Sequence, residues 1–247
     1  MKQSRREKYR EETRQEIKDL AWQQIAEQGA AALSLRAIAR EMGMTAPALY
    51  RYYPNRDALV TELIVDAYHG LGAALEDARQ ASTQAAPLVR IFELGLAYRD
   101  WALQHPQRYA LIFGTPLPGY QAPFEITQPA AAEAMQALVT TILDAYGAQA
   151  LEPAALQALI SPELQGQLAG WGERLGLPQQ ADPNLPALLY LVLAAWVRIH
   201  GLVALELDHQ FQDLIGDASG LVRAEMLALL RQADGDIHAL NGDSVSG

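Results

Sequence analysis

The stretch from Ser34 to Leu59 contains residue types that can contact DNA, held at helical spacing. Small side chains at Ala46 and Ala48 leave room for a helix to enter the major groove of a duplex. Arg51 and Tyr52 beside them supply donors for base edges and phosphate oxygens. This combination predicts a helix face that reads DNA.

Two short helices joined by a tight turn position these side chains. In the first helix, Leu35, Ile38 and Met42 recur at i, i+3 and i+7, which marks one apolar face. Ser34 is placed to cap the start of this helix, and Gly43 is placed to end it. The spacing therefore predicts a helix followed by a turn.

The second helix begins after that turn. The Thr45 hydroxyl is predicted to cap it, and Pro47 fits its first turn, where a missing N–H costs nothing. Leu49 and Tyr53 are predicted to face inward, and Asn55 is predicted to cap a third helix. The alternative is a helical corner in an ordinary protein, because helix-turn-helix shapes also occur without DNA.

The charge is unevenly distributed along the chain. The net charge of −10 argues by itself against nucleic acid. However, residues 1–60 carry eleven basic and eight acidic residues, whereas the remainder carries eight and 21. A basic N-terminal part on an acidic body is typical of a protein that contacts nucleic acid at one end.

Residues 1–11 are predicted to form a flexible basic arm that reaches phosphates or a minor groove, and disorder without a role is the alternative.

Composition narrows the remaining classes. The chain of 247 residues is half apolar, which is ample for a sizeable core, and it has no cysteine. Disulfides, thiolate catalysis and cysteine zinc sites are therefore excluded. The first residues are charged instead of apolar, so no signal peptide is predicted and a cytoplasmic location is expected.

The periodicity is helical from end to end, and the predicted fold class is all-α. Predicted helices cover residues 13–28, 55–80, 88–104, a short one ending at 113, 125–146, 162–175, 185–207 and 211–230. At 1.5 Å per residue the helix at 55–80 spans roughly 35 to 40 Å, so it is expected to be shared by both halves of the molecule. The predicted domains are the arm at 1–11, a three-helix helix-turn-helix domain at 12–55, a helical bundle at 56–232 and a disordered tail at 233–247.

The window at residues 185–207 is the most apolar part of the chain, and its length would permit a membrane span. Arg198, His200 and Glu206 make insertion costly, so a buried helix and no membrane role are predicted. The helix at 211–230 carries its apolar residues along one stripe. Two such helices packed against their copies predict a homodimer with a four-helix interface.

At this point the sequence resembles a known family. The segments that carry the resemblance are Leu33-Ser34-Leu35-Arg36, Gly43-Met44-Thr45, residues 49–53 (Leu-Tyr-Arg-Tyr-Tyr) and residues 55–59 (Asn-Arg-Asp-Ala-Leu). In order and spacing they are similar to the DNA-binding head of the TetR family of transcriptional regulators, over about residues 12 to 60. Residues 98–101, His105-Pro106 and Trp196 followed by His200-Gly201 resemble the subgroup named for a C-terminal Trp-His-Gly motif.

The resemblance implies a repressor that binds a palindromic double-stranded DNA operator as a homodimer and is released by a small ligand. It implies that Arg36 contacts a base edge and that Thr45, Tyr50 and Arg56 hold phosphates. The implied recognition surface comprises Ala46, Pro47, Ala48, Arg51 and Tyr52, with Ser34 as a further DNA-binding candidate. The family commonly has Lys where this chain has Arg56, a change that keeps the charge that a phosphate contact needs.

Aromatic and polar residues in the body are candidates for lining an effector pocket. They are Tyr98, Trp101, Tyr109, Phe113, Met135, Trp171, Trp196 and His200. Each also fits an ordinary core position, and His200 is either a satisfied core histidine or the group that orients a ligand. The expected effector is a small apolar or amphipathic molecule, and no cofactor is predicted.

Two other functions compete with a ligand-released repressor. One is an activator, or a regulator without a small-molecule ligand. The more distant one is a helical-bundle metal enzyme, because Glu206 and His209 have the Glu-x-x-His spacing of di-iron sites. Such sites need a second copy of the motif, and the chain has none, so no enzyme is predicted.

Overall fold

A computed structural model describes residues 5–177 and 182–233 of the chain. Within these residues the secondary structure is helical, without a strand, which confirms the all-α prediction. The helices are α1 (Arg5–Gln28), α2 (Leu35–Glu41), α3 (Ala46–Tyr50), α4 (Arg56–Ala81), α5 (Pro87–Gln104), α6 (Pro106–Phe113), α7 (Phe124–Gly147), α8 (Ala154–Gln157), α9 (Pro162–Arg174), α10 (Leu185–Leu207) and α11 (Ser219–Gln232).

The chain divides into two compact units. The first, here called the reading unit, runs to Gly70 and also contains His105–Ala132. The second, here called the body unit, contains Leu71–Gln104 and the described residues from Glu133 onward. The reading unit is larger than the predicted range 12–55, because α6 packs on α1 and the loop after α6 is bonded to α4. The predicted boundaries at residues 55 and 232 stay predictions.

The start of α1 corrects the prediction of a flexible arm at residues 1–11. Residues 5–11 are helical and continue directly into the rest of α1, and the first four residues lie outside the described part. Arg, Glu and Lys are good helix formers. Lys8 and Glu12 also form an i,i+4 ion pair of 3.7 Å. Local helix propensity therefore explains why residues 5–11 are helical, although the run of charges suggested disorder.

The core of the reading unit is built from the predicted inward faces of its helices. Ile17 of α1, Ile38 of α2, Leu49 of α3 and Leu63 of α4 are completely buried, and Tyr53 joins them. Burying each such side chain stabilises the fold by about 1.5 to 3 kcal/mol. This shared core holds α2 and α3 at a set angle on α1 and α4.

The predicted caps and turns are mostly confirmed. The backbone N–H of Ala37 donates to Ser34 Oγ over 3.3 Å, and that of Ala58 donates to Asn55 Oδ1 over 2.8 Å. Gly43 has a φ of +64°, a conformation that favours glycine. Thr45 is the exception, because it stands at the cap position of α3 but its side chain makes no capping bond.

In the body unit, α10 is the central helix and packs against α5, α8, α9 and α11. Its bounds are those predicted, and Leu188, Leu189 and Val192 are among its buried residues. At Gly95 a Cβ would lie 2.7 Å from the Cε atom of Met226, the far end of a flexible side chain that would have to move. The absence of a side chain at Gly95 therefore leaves room for Met226 of α11 against α5.

The helix predicted at 211–230 begins later, at Ser219, so the first part of that prediction is wrong. Residues 208–218 form turns, in which His209 has a φ of 59° and Gly216 a φ of +71°. The Asp217 carboxylate accepts hydrogen bonds from the backbone and the hydroxyl of Ser219, which favours a helix start there. Apart from Ala233, the predicted disordered tail lies outside the described residues.

Two helices, α4 and α10, are long and apolar enough to cross a membrane by length and composition alone. Four other helices of the body unit pack against α10. Its Glu206 also forms a bidentate ion pair with Arg99. These are properties of a core helix in a folded protein.

Candidate nucleic-acid interface

Helix α3 and the residues after it carry several exposed side chains of the reading unit. Leu49 is fully buried and anchors α3, while Pro47 and Arg51 are exposed and Tyr50 is 39% exposed. Ala46, Ala48 and Tyr52 are only partly exposed, and Tyr52 packs against the core of the unit. Pro47 and Arg51 are thus accessible to a partner, whereas Tyr52 divides its area between the core and solvent, and the DNA contact of these residues stays a prediction.

Arg36 lies exposed in the first turn of α2. In the described part of the chain it forms no ion pair, so its five donors remain for an external acceptor. Ser34, just before it, is half-buried, and its hydroxyl oxygen already caps α2. Its backbone N–H donates to Gln24 Oε1 over 3.1 Å, so Ser34 has a structural role beside any DNA contact.

Thr45 is exposed at the start of α3. Because its hydroxyl does not cap the helix, as noted above, the predicted local role of this group is wrong. A hydroxyl that the helix does not use remains a donor for a phosphate oxygen. The structure therefore leaves the phosphate prediction for Thr45 in place.

Arg56 has a structural role that the sequence did not indicate. Its Nη2 group donates to the carbonyl oxygens of Ala30 and Ala31, over 2.8 and 3.3 Å. These carbonyls belong to a short 3₁₀ turn, Ala30–Ala32, that precedes α2. Arg56 thus links the start of α4 to the segment that leads into α2. Its predicted phosphate contact stays a prediction.

A cluster of charged side chains joins α1 to α4 within the reading unit. The Lys18 ammonium lies 2.8 Å from Asp66 Oδ2 and 3.6 Å from Glu62 Oε1, and Arg14 also pairs with Glu62. The Arg14 guanidinium lies 5.1 Å from the ring centre of Tyr53, and burial is the main cause that raises the pKa of that phenol. Sequence reasoning missed this cluster.

A signal for it exists in the sequence. Arg14 and Lys18 stand at i,i+4 on α1, and Glu62 and Asp66 stand at i,i+4 on α4, so each helix carries two like charges on one face. Such a face is stable when a second face of opposite charge packs against it. The pairing of the two faces needed the tertiary structure.

Three of the predicted effector residues come together in the body unit. The Tyr98 hydroxyl and His200 Nδ1 are 3.0 Å apart, and the rings of His200 and Trp196 have centroids 5.3 Å apart at an angle of 30°. Burial lowers the pKa of His200, which favours the neutral imidazole. A neutral imidazole can orient a polar ligand group as donor or acceptor.

The other predicted effector residues are distributed differently. Tyr109 and Phe113 belong to the reading unit, where the Phe113 ring stacks edge-on to Tyr68 with centroids 6.0 Å apart. Trp171 packs on a separate cluster around Leu168 and Leu189. Trp101 is buried and Met135 is half-buried. The predicted lining therefore does not fall within one compact unit.

The reading unit also contains a cleft that the sequence did not predict. Its volume is about 210 Å³, and its lining includes Tyr68, Leu111, Leu117 and Tyr120. The Tyr120 and Thr61 hydroxyl oxygens are 2.9 Å apart, which ties the loop after α6 to α4. No motif in the loop signalled this contact.

The metal-enzyme alternative finds no support in the geometry. The Glu206 carboxylate is occupied by Arg99, and His209 is exposed in the turn after α10. Across residues 5–177 and 182–233, no group of three or more acidic or histidine side chains is placed to hold a metal ion.

Two family models match the chain. One, described as bacterial regulatory proteins of the tetR family, matches residues 17–63. The other, described as a tetracyclin repressor-like C-terminal domain, matches residues 91–229. The first range contains α2, α3 and most of the hydrophobic core of the reading unit. The second contains Tyr98, Trp196 and His200.

Relatives and solved structures agree with these models. The HTH-type transcriptional regulators Rv1816 of Mycobacterium tuberculosis and Mb1846 of Mycobacterium bovis are each 40% identical over 133 residues, which is 54% of this chain and 57% of theirs. The chain thus matches little more than half the length of these curated relatives. Both relatives are described as transcriptional regulators, the class of protein that the sequence predicts for this chain.

The crystal structure of SCO4313, a protein described as regulatory, is 42% identical and covers 92% of this chain and 100% of that one, with a TM-score of 0.73. A protein of unknown function from Rhodococcus sp. RHA1 is 22% identical. The match covers 89% of this chain and 94% of that protein, with a TM-score of 0.66. The second likeness shows a shared fold alone.

Proposed function

Because the chain belongs to the TetR family of bacterial regulatory proteins, we propose that it is a repressor that binds a palindromic operator as a homodimer and is released by a small effector. The observation that carries the DNA-binding part is the surface of α2 and α3. There Arg36 and Arg51 are exposed beside small residues, on helices anchored by a buried core.

In this proposal α3 enters the major groove. Arg36 binds a guanine edge through both arms of its guanidinium, while Thr45, Tyr50 and Arg56 hold phosphates. Two copies of this surface in a homodimer read two half-sites about one helical turn apart, or a multiple of it. The protein acts where the DNA is, in the cytoplasm.

The exposed apolar residues of the body unit support dimerisation through α10 and α11. On α10, Val197 is 59% exposed and Leu205 is 44% exposed, and Gly201 stands between them on the same face at i,i+4 spacing. On α11, Gly220 and Ala224 are exposed at the same spacing. Small and apolar stripes on two adjacent helices suit a self-complementary four-helix interface.

Charge substitutions on α10 test this dimer. Val197→Glu combined with Leu205→Glu should convert the protein from dimer to monomer in light scattering, because four carboxylates would be buried in the interface. Leu214→Glu is the matched control, since Leu214 is 75% exposed in the turn before α11. A dimer that survives the double substitution would rule out α10 as the interface.

We place the effector beside Tyr98, Trp196 and His200. In this placement the rings of Tyr98 and Trp196 and the apolar helix α10 supply the hydrophobic lining. The Tyr98 hydroxyl and the His200 imidazole supply the polar contacts that orient the effector. Helix α4 contributes residues to both units. An effector that prefers one arrangement of α4 would shift the population toward a half-site spacing that the operator does not match.

The deciding experiment has two stages. A duplex is first selected from a random-sequence library by the full chain and mapped by footprinting; a palindromic footprint is expected. Small apolar and amphipathic compounds are then screened for loss of binding to that duplex. Specific binding that no compound reverses would favour a regulator without a ligand, and activation of a reporter would favour an activator. If no sequence is enriched, the DNA-binding proposal fails.

A further inference from the structure

The first two turns of α1 and the residues that follow α3 enclose a shallow concavity of about 500 Å³. Its lining comprises Arg6, Glu7, Tyr9, Arg10, Arg51 and Tyr52. Arg51 and Tyr52 are part of the proposed reading surface, whereas the α1 residues lie in the segment predicted to be a flexible arm. The concavity therefore continues the reading surface onto an ordered helix.

The concavity carries a net positive charge, and its guanidinium groups are accessible to an external anion. Arg6, Arg10 and Arg51 are all exposed, and none of them forms an ion pair with another residue that the structure describes. Three guanidinium groups face one lining carboxylate, Glu7. Because exposed arginines lose little by exchanging water for a phosphate, this arrangement suits a polyanion.

The spacing matches a nucleic-acid strand. Arg6 and Arg10 stand four residues apart on α1, so they are separated by roughly 6 Å along the helix axis. That is about the rise of two nucleotides along one strand of a duplex. Tyr9 lies between them in sequence and is 68% exposed, so its hydroxyl can donate to the same backbone.

We propose that this concavity is a second backbone-binding site, in which α1 holds the phosphates that flank the bases read by α3. This inference rests on the proposed DNA-binding function. It assigns Arg6 and Arg10 to sequence-independent affinity, with Arg51 at the point where the two surfaces meet. The occupant is the sugar–phosphate backbone of double-stranded DNA, because the donors Arg6, Tyr9 and Arg10 recur at i, i+3 and i+4 along one helix and the concavity is open instead of closed.

The test compares Arg6→Ala/Arg10→Ala in the full chain with the control Arg5→Ala/Lys8→Ala. Both variants remove two positive charges from the first turns of α1, but Arg5 and Lys8 do not line the concavity, and Lys8→Ala also removes the exposed ion pair with Glu12. Alanine preserves helix propensity, so α1 should stay folded, which circular dichroism checks. Binding is measured by fluorescence anisotropy on the duplex selected by the wild-type chain and on a scrambled duplex, over a salt series.

The slope of log affinity against log salt should fall by about two units in Arg6→Ala/Arg10→Ala, equally on both duplexes. The control should change it by less than about half a unit. Arg6→Lys/Arg10→Lys should restore the slope, since phosphates accept either cation. Shortening the selected duplex at its flanks should weaken the wild type and leave Arg6→Ala/Arg10→Ala unaffected.

The outcomes separate this proposal from the DNA-binding proposal. If the wild type binds no duplex, the proposed function itself fails. If the wild type binds and the Arg6→Ala/Arg10→Ala slope equals that of the control, the concavity is not a backbone site and the reading surface stands alone. If only the selected duplex loses affinity, Arg6 and Arg10 read bases and the backbone assignment is wrong.

Discussion

Half-buried arginines of the body unit and exposed arginines of the reading unit have opposite surroundings. In the body unit Arg90, Arg99 and Arg198 each pair with a carboxylate of another helix or turn: Asp144, Glu206 and Glu225. In the reading unit Arg6, Arg10, Arg36 and Arg51 are exposed and have no such partner in the described structure. The paired arginines stabilise the body unit, whereas these exposed arginines of the reading unit are available to an external anion.

This difference explains how an acidic chain can bind DNA. The excess of carboxylates in the body gives each buried or half-buried arginine a partner, so those arginines add little positive field. The reading unit keeps its paired charges inside, at Lys18 and Arg14, and leaves others exposed. Net charge is therefore a poor guide to partners, and the pairing of each charge is a better one.

The largest expected effect comes from a paired arginine. Arg99 donates from Nε and Nη2 to both oxygens of Glu206, over 2.8 and 2.6 Å, and both side chains are mostly buried. Arg99→Ala should lower the free energy of unfolding by about 2 kcal/mol, since it strands a carboxylate that is only partly solvated. Chemical denaturation measures this, and DNA affinity of the folded protein should not change.

Arg231→Ala is the control for that measurement, because Arg231 is exposed at the end of α11 and has no ion pair in the described structure. It should change the stability by less than about 0.5 kcal/mol. Equal losses for Arg99→Ala and Arg231→Ala would remove the distinction between paired and exposed arginines.

An exposed arginine should show the reverse pattern. Arg36→Ala should leave the stability unchanged and weaken binding to the selected duplex by about 1 to 3 kcal/mol, with a smaller loss on random duplex. Arg36→Lys should recover nonspecific binding but not discrimination, because lysine lacks the planar fork. Equal losses of Arg36→Ala on specific and random duplexes would contradict a base-reading role.

Arg56 combines features of the paired and the exposed arginines. It donates hydrogen bonds to two backbone carbonyls and is also predicted to hold a phosphate. Arg56→Gln keeps a donor for the carbonyls and removes the charge. It should change the stability by less than about 0.5 kcal/mol and reduce the salt slope of DNA binding by about one unit. An unchanged slope would assign Arg56 to the fold alone.

The smallest effect concerns His200. Its pKa lies below the usual 6.5 because of burial, so the unfolded chain binds more protons than the folded one just below that pH. Stability should therefore rise with pH through this window and fall as the solution is acidified. His200→Asn, which keeps a polar atom near Tyr98, should weaken this dependence in denaturation midpoints taken on either side of pH 6.5.

His209→Asn serves as the control, because His209 is exposed in a turn with a positive φ that asparagine tolerates. The wild-type pH dependence should persist in this variant. If it disappeared there and remained in His200→Asn, burial of His200 would not be its cause.

Local features of the sequence were sufficient for most of the fold. The bounds of α10 and the turn at Gly43 follow from apolar periodicity and from the conformational freedom of glycine, which act over a few residues. The exposure of Arg36 follows from the same periodicity. The family could also be read from the motif, since its residues are contiguous.

The misplaced features share a different cause. The apolar spacing of Phe211 continues that of α11 and predicts a helix there, but the turn at Gly216 and the hydrogen bonds from Ser219 to the Asp217 carboxylate precede the observed helix start. The charge run at residues 5–11 predicts an arm, because charge runs are often disordered, whereas the helix propensity of the same residues favours α1. In each case two local signals disagree: apolar spacing against a turn for Phe211, and a charge run against helix propensity for residues 5–11. The sequence pattern alone does not show which of the two is stronger.

By itself, then, the sequence determined the helices, the helix-turn-helix chemistry and the basic N-terminal part. Only the tertiary structure decided that Lys18 meets Asp66, that Arg56 bonds to Ala30, and that Arg6 and Arg51 line one concavity. The physical reason is range. Periodicity and capping are properties of neighbouring residues, whereas the partner of a charge depends on which helix faces meet across tens of residues.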